Sequence, residues 1–340
     1  MRTMRGSRVM VERARTSWWS SLLLGIERMA LALAAYSILR AVVGPRLWPL
    51  SFVEALLPWI ALPSFVFVLV ALLARRWRSV AAHAVIAVGW WLLFGGTLWS
   101  RGAPPEVAGT RLTVLTCNLA SGLARIDRLE PFFRDSGADV IVLQELDDEE
   151  TYELGSRLLD VYPYRDLHGL GVPGKGVLSK FRIVESSLFR LQAERPYLRA
   201  VLDVGGERVT LFDVHVPLEE VLLGPFGVAE DDVAELARRT VASAPALLVG
   251  DFNATSNMLV YGLARDAGLV NAFAERGVGL GATFPIFGRY RGVPWPRCVR
   301  IDHVWHTQDF TTLSCELAPD AGSDHRPLTA TLVLRARNER

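Results

Sequence analysis

The chain has 340 residues, 37 Lys and Arg against 36 Asp and Glu, and a formal net charge of +1. That balance supplies no global basic field for nucleic acid. Cys117, Cys298 and Cys315 are the only cysteines, which excludes a disulfide framework, and hydrophobic residues reach 51%, a high share for a soluble enzyme.

The apolar excess is concentrated before residue 100. Residues 1–21 are a basic N-terminus carrying Arg2, Arg5, Arg8, Arg13 and Arg15. Residues 22–99 contain three apolar stretches, at 22–43, 55–74 and 80–99. Each is near the ~20 residues a helix needs to cross a ~30 Å hydrocarbon layer, and only a helix satisfies its own backbone there. Three transmembrane helices are therefore expected. Glu27-Arg28 and Arg40 interrupt the first stretch near its ends, where snorkelling can rescue them. Pro58 and Pro63 are candidate kinks in the second; His83 opens the third, and Trp90, Trp91 and Trp99 suit an interface. A cleaved signal peptide is the alternative. The missing small-residue cleavage site and the two further stretches favour retention. Six Arg precede Met29, and Arg75, Arg76 and Arg78 lie between the second and third stretches, against Arg46 alone between the first and second. This bias predicts a multi-pass plasma-membrane protein of a bacterial-type cell, with a cytoplasmic N-terminus and everything after residue 99 extracytoplasmic. Residues 100–109 read as a linker.

Residues 110–336 read as one catalytic domain. Strands are predicted at 111–117, 139–144, 174–179 and 183–188, and a hairpin at 198–204 and 208–214 across Gly205-Gly206. Strands follow at 246–249, at 299–306 paired with 311–317, and at 328–334. Helices are predicted at 126–135, 148–159 and 231–242, with another capped by Ser256 and running to 266. Apolar strands mixed with helices indicate an α/β fold, a four-layer α/β/β/α sandwich. Cys298 and Cys315 fall on consecutive predicted strands out of register, which favours buried free thiols over a bridge.

Six polar segments punctuate this domain, most at the end of an apolar strand-like run: Cys117-Asn118-Leu119, Gln144-Glu145, Val214-His215-Val216, Gly250-Asp251-Phe252-Asn253, Ile301-Asp302-His303 and Ser323-Asp324-His325-Arg326-Pro327. Strand ends present side chains on one rim of a sheet. Two Asn, one Glu, three Asp, and His215 and His325, gathered there suit hydrolysis of a phosphate ester with a hard divalent cation. The ordered series resembles the endonuclease/exonuclease/phosphatase superfamily, which includes deoxyribonuclease I and the neutral sphingomyelinases, over roughly residues 110–335. The three-stretch N-terminus resembles bacterial membrane members of that superfamily, such as teicoplanin-resistance-type proteins.

The resemblance implies the same four-layer fold and a role for each residue. Glu145 matches the principal ligand of a Mg²⁺ ion, with Mn²⁺ or Ca²⁺ as alternatives. Asn118 stands beside that metal, and Asp324 on the metal side or at a second cation. Asp251 matches the base that takes a proton from the attacking water. Asn253, alternating with it around Phe252, would hold that water or charge on phosphorus. Asp302 and His325 match a carboxylate–imidazole pair, and His215 a residue touching the phosphate. His303 is either a substrate contact or, preferably, a packing residue. Lys175 and Arg199 are either phosphate contacts or solvated cations. His168 and His306 read as surface residues. No Walker loop, nucleophile elbow or His-Glu-x-x-His zinc motif is present.

Substrate class is left to context. Apolar segments at 221–228, 284–287 and 293–296 flank the polar motifs; they form either a lipid-facing surface or a self-packed lid. A nuclease would want basic loops, and only Arg289, Arg291 and Arg297 offer that. The expectation is a lipid-borne phosphate: a phospholipid or sphingolipid head group, or a polyprenyl phosphate carrier. Nucleic acid is the lesser alternative, a non-catalytic receptor or scaffold the second. No obligate protein partner is implied.

Overall fold

A computed structural model describes residues 3–43, 48–99, 101–222, 227–285 and 297–336. The chain forms two compact units: one of helices before residue 97, and one from Thr97 onward together with Arg46–Leu56.

The N-terminal helices are α1 (Thr3–Val43), α2 (Trp48–Ala61), α3 (Ser64–Leu73) and α4 (Trp77–Phe94). Among the described residues two helical segments, Trp18–Val43 and Trp77–Thr97, are long and apolar enough to cross a membrane. The second predicted stretch is broken: α2 and α3 meet at a 51° bend, so a third span exists only if the bent pair is taken as one. Pro63 explains the break. It lacks an N–H and its ring collides with the preceding turn. Pro58, the other candidate kink, sits inside α2, and its carbonyl accepts from Trp90 Nε1 at 2.8 Å. The first membrane-long segment starts at Trp18, earlier than expected, which moves Glu27 away from its end. Its carboxylate is met by Ser79 Oγ at 3.4 Å and Arg76 at 3.7 Å, and pairing joins snorkelling as its means of support.

The strands of the second unit are β1 (Gly109–Asn118), β2 (Val140–Gln144), β3 (Tyr164–His168), β4 (Lys175–Ser179), β5 (Arg182–Arg190), β6 (Pro196–Val204), β7 (Glu207–His215), β8 (Ala246–Asp251), β9 (Val270–Asn271), β10 (Asp302–His306), β11 (Phe310–Leu317) and β12 (Leu328–Arg335). Its helices are α5 (Ile126–Asp135), α6 (Asp148–Arg157), α7 (Leu218–Leu222), α8 (Val228–Ala242), α9 (Leu259–Asp266) and α10 (Ala272–Arg276). Two six-stranded mixed sheets result, ordered β11-β12-β1-β2-β4-β3 and β5-β6-β7-β8-β10-β9. Their inner faces meet through Leu112, Val114, Val140, Leu198, Leu211, Val249, Val304 and Leu332. The outer face of the first sheet is covered through Leu129 and Phe133, an i, i+4 pair on α5, and Leu154 on α6. Val233, Leu236 and Ala237 of α8 and Val260 of α9 cover the second. The expected α/β/β/α sandwich is thus present. Each fully buried Leu or Val contributes roughly 1.5–3 kcal/mol of transfer free energy.

Two local expectations fail. The predicted pairing of 299–306 with 311–317 does not occur. β10 inserts between β8 and β9, whereas β11 pairs with β12 at the edge of the other sheet. Burial explains it: every β10 residue is buried, as a central strand requires, while β11 alternates toward solvent. Ser256 caps nothing, because α9 begins at Leu259 with Met258 at its N-cap and no side-chain cap bond. Cys117 and Cys315 are buried thiols, and no disulfide joins any of the three cysteines among the described residues.

Candidate active site

Sheet register explains why distant segments converge. β1 and β2 run parallel with Asn118 opposite Gln144, and β4 returns antiparallel with Lys175 opposite Gln144. In the second sheet His215 stands opposite Asp251 on parallel strands, and Asp302 opposite Asp251 on an antiparallel one. The polar residues therefore occupy one rim of each sheet, and the rims face each other. Asn118 Nδ2 crosses the gap to Asp251 Oδ2 at 3.0 Å and also reaches Glu145 Oε1 at 3.0 Å. Its own Oδ1 is taken by Ala120 N at 2.9 Å. Asn118 thus presents N–H groups to two carboxylates, holding them together.

The β11–β12 connection completes the cleft. Ser323 Oγ donates to Asn118 O at 2.6 Å and accepts from His325 N at 3.1 Å, which pins the loop to β1. His325 Nδ1 lies 3.0 Å from Asp302 Oδ2, and its Nε2 lies 3.8 Å from Asp251 Oδ2. Phe284 packs on the His325 ring with centroids 4.6 Å apart. Asp324 is half-buried, 3.4 Å from Ser323 Oγ. Asn253 N donates to Asp251 Oδ1 at 2.8 Å, and its Nδ2 donates to Val216 O at 2.8 Å.

The backbone is under constraint here. Gly250 has φ of 137°, and a Cβ on it would lie 2.1 Å from Val214 O. Glu145 and Asn253 adopt left-handed φ of 52° and 47°. Such strain persists in non-glycine residues only where the surroundings enforce it, commonly at functional sites.

Electrostatics follow from burial. Burial, reinforced by the Asp302 charge, raises Asp251 to about 7. Burial alone would favour a neutral His325, but Asp302 and Asp251 outweigh it and raise the imidazole to about 10. His215 is the converse: burial, with Lys175 and Arg195 close by, drives it well below its ordinary value, so it is neutral. Its Nε2 lies 3.4 Å from Arg195 Nη1 and 3.6 Å from Glu145 Oε1.

A second polar layer sits behind the rim. Gln144 Nε2 donates to Asp213 Oδ1 at 2.7 Å, and Gly176 N to Asp213 Oδ2 at 3.3 Å. Burial raises Asp213 to about 7. Lys175 is fully buried, its Nζ has no hydrogen-bond partner among the described residues, and burial lowers it to about 8. It is therefore no solvated surface cation. Arg199, by contrast, pairs with Glu185 at 3.3 Å on β6 and takes no part in the cleft. His303 points to the opposite face of β10 from Asp302. It packs edge-on against Phe252 and Tyr261 and sits 2.8 Å from Ala254 O, a core residue. His306 is also buried, 2.9 Å from Thr312 Oγ1, contrary to the surface reading. His168 is half-buried beside Asp166. Val221 is buried in the core, whereas residues 223–226 and 286–296, with Arg289, Arg291 and most of the expected apolar loops, lie outside the described residues.

Arg195 and Asp213 escaped the sequence reading. Arg195 precedes β6 with no local motif to mark it. Asp213 did carry a signal: it sits two residues before His215 in an apolar strand, on the same face.

The donors suit a hard cation. Asp251, Asp302 and His325 bring ligand atoms within 4.8 Å of one another, and Asp302 Oδ1 is buried with no hydrogen-bond partner among the described residues. Glu145, about one-fifth exposed, adds a solvent-reachable carboxylate across Asn118. Two facing rims of carboxylates, amides and a charged imidazole define a phosphoesterase.

The endonuclease/exonuclease/phosphatase family model matches residues 115–325, and the chain belongs to that family. Among solved structures, an endonuclease/exonuclease/phosphatase from Beutenbergia cavernae superposes with a TM-score of 0.55 at 20% identity, covering 67% of this chain and 72% of that one. A Bacteroides vulgatus member gives 0.54 at 19% identity over 66% and 100%. A D. rerio TDP2 structure complexed with a single-strand DNA product gives 0.50 at 18% identity over 65% and 98%. These likenesses support the fold. No curated protein matches the chain.

Proposed function

We propose that this family member is a membrane-anchored, extracytoplasmic, Mg²⁺-dependent phosphoesterase that hydrolyses a lipid-borne phosphate by direct attack of water. The observation that carries the catalytic part is the hydrogen-bonded chain Glu145–Asn118–Asp251, closed by His325 on Asp302. Asp251 takes the proton of the attacking water, a task for which a carboxylate raised toward neutrality is matched. His325, kept protonated by Asp302, gives a proton to the leaving oxygen. Arg195 and Lys175 place cationic charge behind the phosphoryl oxygens, and Asn118 and Asn253 fix the carboxylates and the water. Neutral His215 spaces Arg195 from Glu145.

Glu145, with Asp324 on the loop side, would hold the divalent cation; when bound it polarises a phosphoryl oxygen and eases departure of the leaving group. The cluster of Asp251, Asp302 and His325 is the other donor set. Its imidazole is already engaged by Asp302, which favours the proton-donor role.

The lipid assignment rests on the membrane-long helices and the resemblance to bacterial membrane members of the superfamily. The Arg asymmetry supports the extracytoplasmic orientation. A panel of phospholipids, sphingolipids, polyprenyl phosphates and plasmid DNA, offered with Mg²⁺ to the full chain in detergent, tests it. Turnover of a lipid phosphate supports the reading; cleavage of DNA alone replaces it with a nuclease, and no turnover at all favours a receptor.

A further inference from the structure

A second cavity lies in the same unit, away from the rim. Its volume is about 530 Å³, and it opens between α9, β9 and α10. Arg101, Arg265 and Arg276 line it, with Glu275 the one carboxylate of its walls among the described residues. In a chain of net charge +1, that is a local excess of cations. The Glu275 carboxylate is engaged by His306 Nε2 at 3.2 Å and Thr312 N at 3.3 Å, directed into the fold. Arg265 meets Asp266 at 2.9 Å, but both side chains are about two-thirds exposed, and such pairs yield readily to a competing anion.

Trp305 supplies the independent observation. It is 1% exposed, lines the cavity, and its Nε1 is buried without a hydrogen-bond partner among the described residues. A buried indole N–H without an acceptor costs free energy, and it stands in the wall of a cavity lined by cations.

The position of the cavity narrows the ligand. Thr97 ends a membrane-long helix and opens the catalytic unit. Gly279 N donates to Thr97 O at 2.6 Å, and Arg276 Nη1 to Arg101 O at 3.3 Å, so the first residues of the unit are pinned along the cavity wall. Arg101 comes four residues after Thr97, within ~14 Å of it by chain reach. An arginine four residues after a membrane-long helix, within a cluster of three, suits a phosphate head group.

We propose that this cavity is a phosphate-binding site, separate from the catalytic rim, that takes the phosphomonoester head group of a membrane lipid. Native mass spectrometry of the full chain in neutral detergent tests it, with phosphatidic acid, diacylglycerol and glycerol 3-phosphate as probes. Phosphatidic acid should bind at least tenfold more tightly than diacylglycerol, and Asp251→Asn should retain that binding. Arg265→Gln/Arg276→Gln should lose it at least tenfold, while Arg238→Gln, on exposed α8 surface, should not. Melting temperature and hydrolysis report whether the double variant is folded. Competition by glycerol 3-phosphate would assign the site to the phosphate group itself, and its absence to the intact lipid; both support an anion site. Equal retention of diacylglycerol, or undiminished binding by a folded double variant, overturns the proposal. Because the readout is binding, failure of the hydrolase assignment would leave this result standing.

Discussion

Replacing Lys175 by Met probes whether the cleft is built around a buried cation. The substitution keeps the length and apolar stem of the side chain and removes the ammonium. In the structure Lys175 is fully buried, and the charges acting on it include Asp213, Asp251 and Glu145. Burial brings its pKa from 10.5 to about 8, which at ~1.4 kcal/mol per tenfold change in proton affinity means the charged form is held at a cost of about 3 kcal/mol. Lys175→Met removes that cost but deprives Asp213 of its cation, so Asp213 stays protonated at neutral pH. The melting temperature should therefore change little or rise. Turnover should fall about 100-fold, the scale of losing one preorganised group aimed at charge that develops in the transition state. The sign with pH follows from linkage. Between about 8 and 10.5 the unfolded chain binds a proton at Lys175 that the folded chain has released. Wild-type stability therefore gains across that window as pH rises, and the Met variant lacks this contribution. Thermal melts of the detergent-solubilised chain from pH 8 to 10.5, with kcat measured alongside, report both. A variant that turns over at the wild-type rate would refute the reasoning, as would one that loses stability with an unaltered pH dependence.

Further expectations follow from the same geometry. The catalytic efficiency kcat/KM should rise with pH as Asp251 ionises near 7 and fall as His325 deprotonates near 10, with a bound cation moving both limbs downward; a flat profile would exclude the pair as base and acid. Asp302→Asn removes the charge that keeps His325 protonated. It should draw the alkaline limb toward neutrality and reduce kcat by about 10²–10³, within the range of general acid–base contributions. Gly250→Ala forces a Cβ to 2.1 Å from Val214 O at φ of 137°, so it should destabilise the fold by about 3 kcal/mol or more, read as a fall in melting temperature. Arg199→Gln, outside the cleft, should leave kcat within about twofold of wild type, as surface changes do.

Much of the fold was legible in the sequence because its strands are strongly patterned. Val140–Leu143 is an uninterrupted apolar run closed by Gln144, and Ile126–Asp135 carries one helical face; both appear where periodicity places them. Pairing partners were less accessible. Short buried runs such as Asp302–His306 fit between any two neighbours, and only the complete set of strands assigns this one to β8 and β9. Tyr164–His168 was missed, since its polar residues mask strand character. The rim was readable because most of its polar residues interrupt or end an apolar run: Asn118 after Cys117, Asp251 after Gly250. The layer behind it was not. Lys175 looks like any surface lysine until β4 is seen with both faces buried, and Arg195 enters the cleft from a loop whose course no local pattern specifies.

The most direct test is Mg²⁺-dependent turnover of a lipid phosphate by the full chain beside Glu145→Gln, an isosteric change that removes one carboxylate charge. The account predicts a loss of at least 10³ in kcat at an unchanged melting temperature, together with weakened Mg²⁺ dependence. Wild-type turnover by a folded Glu145→Gln chain would contradict it.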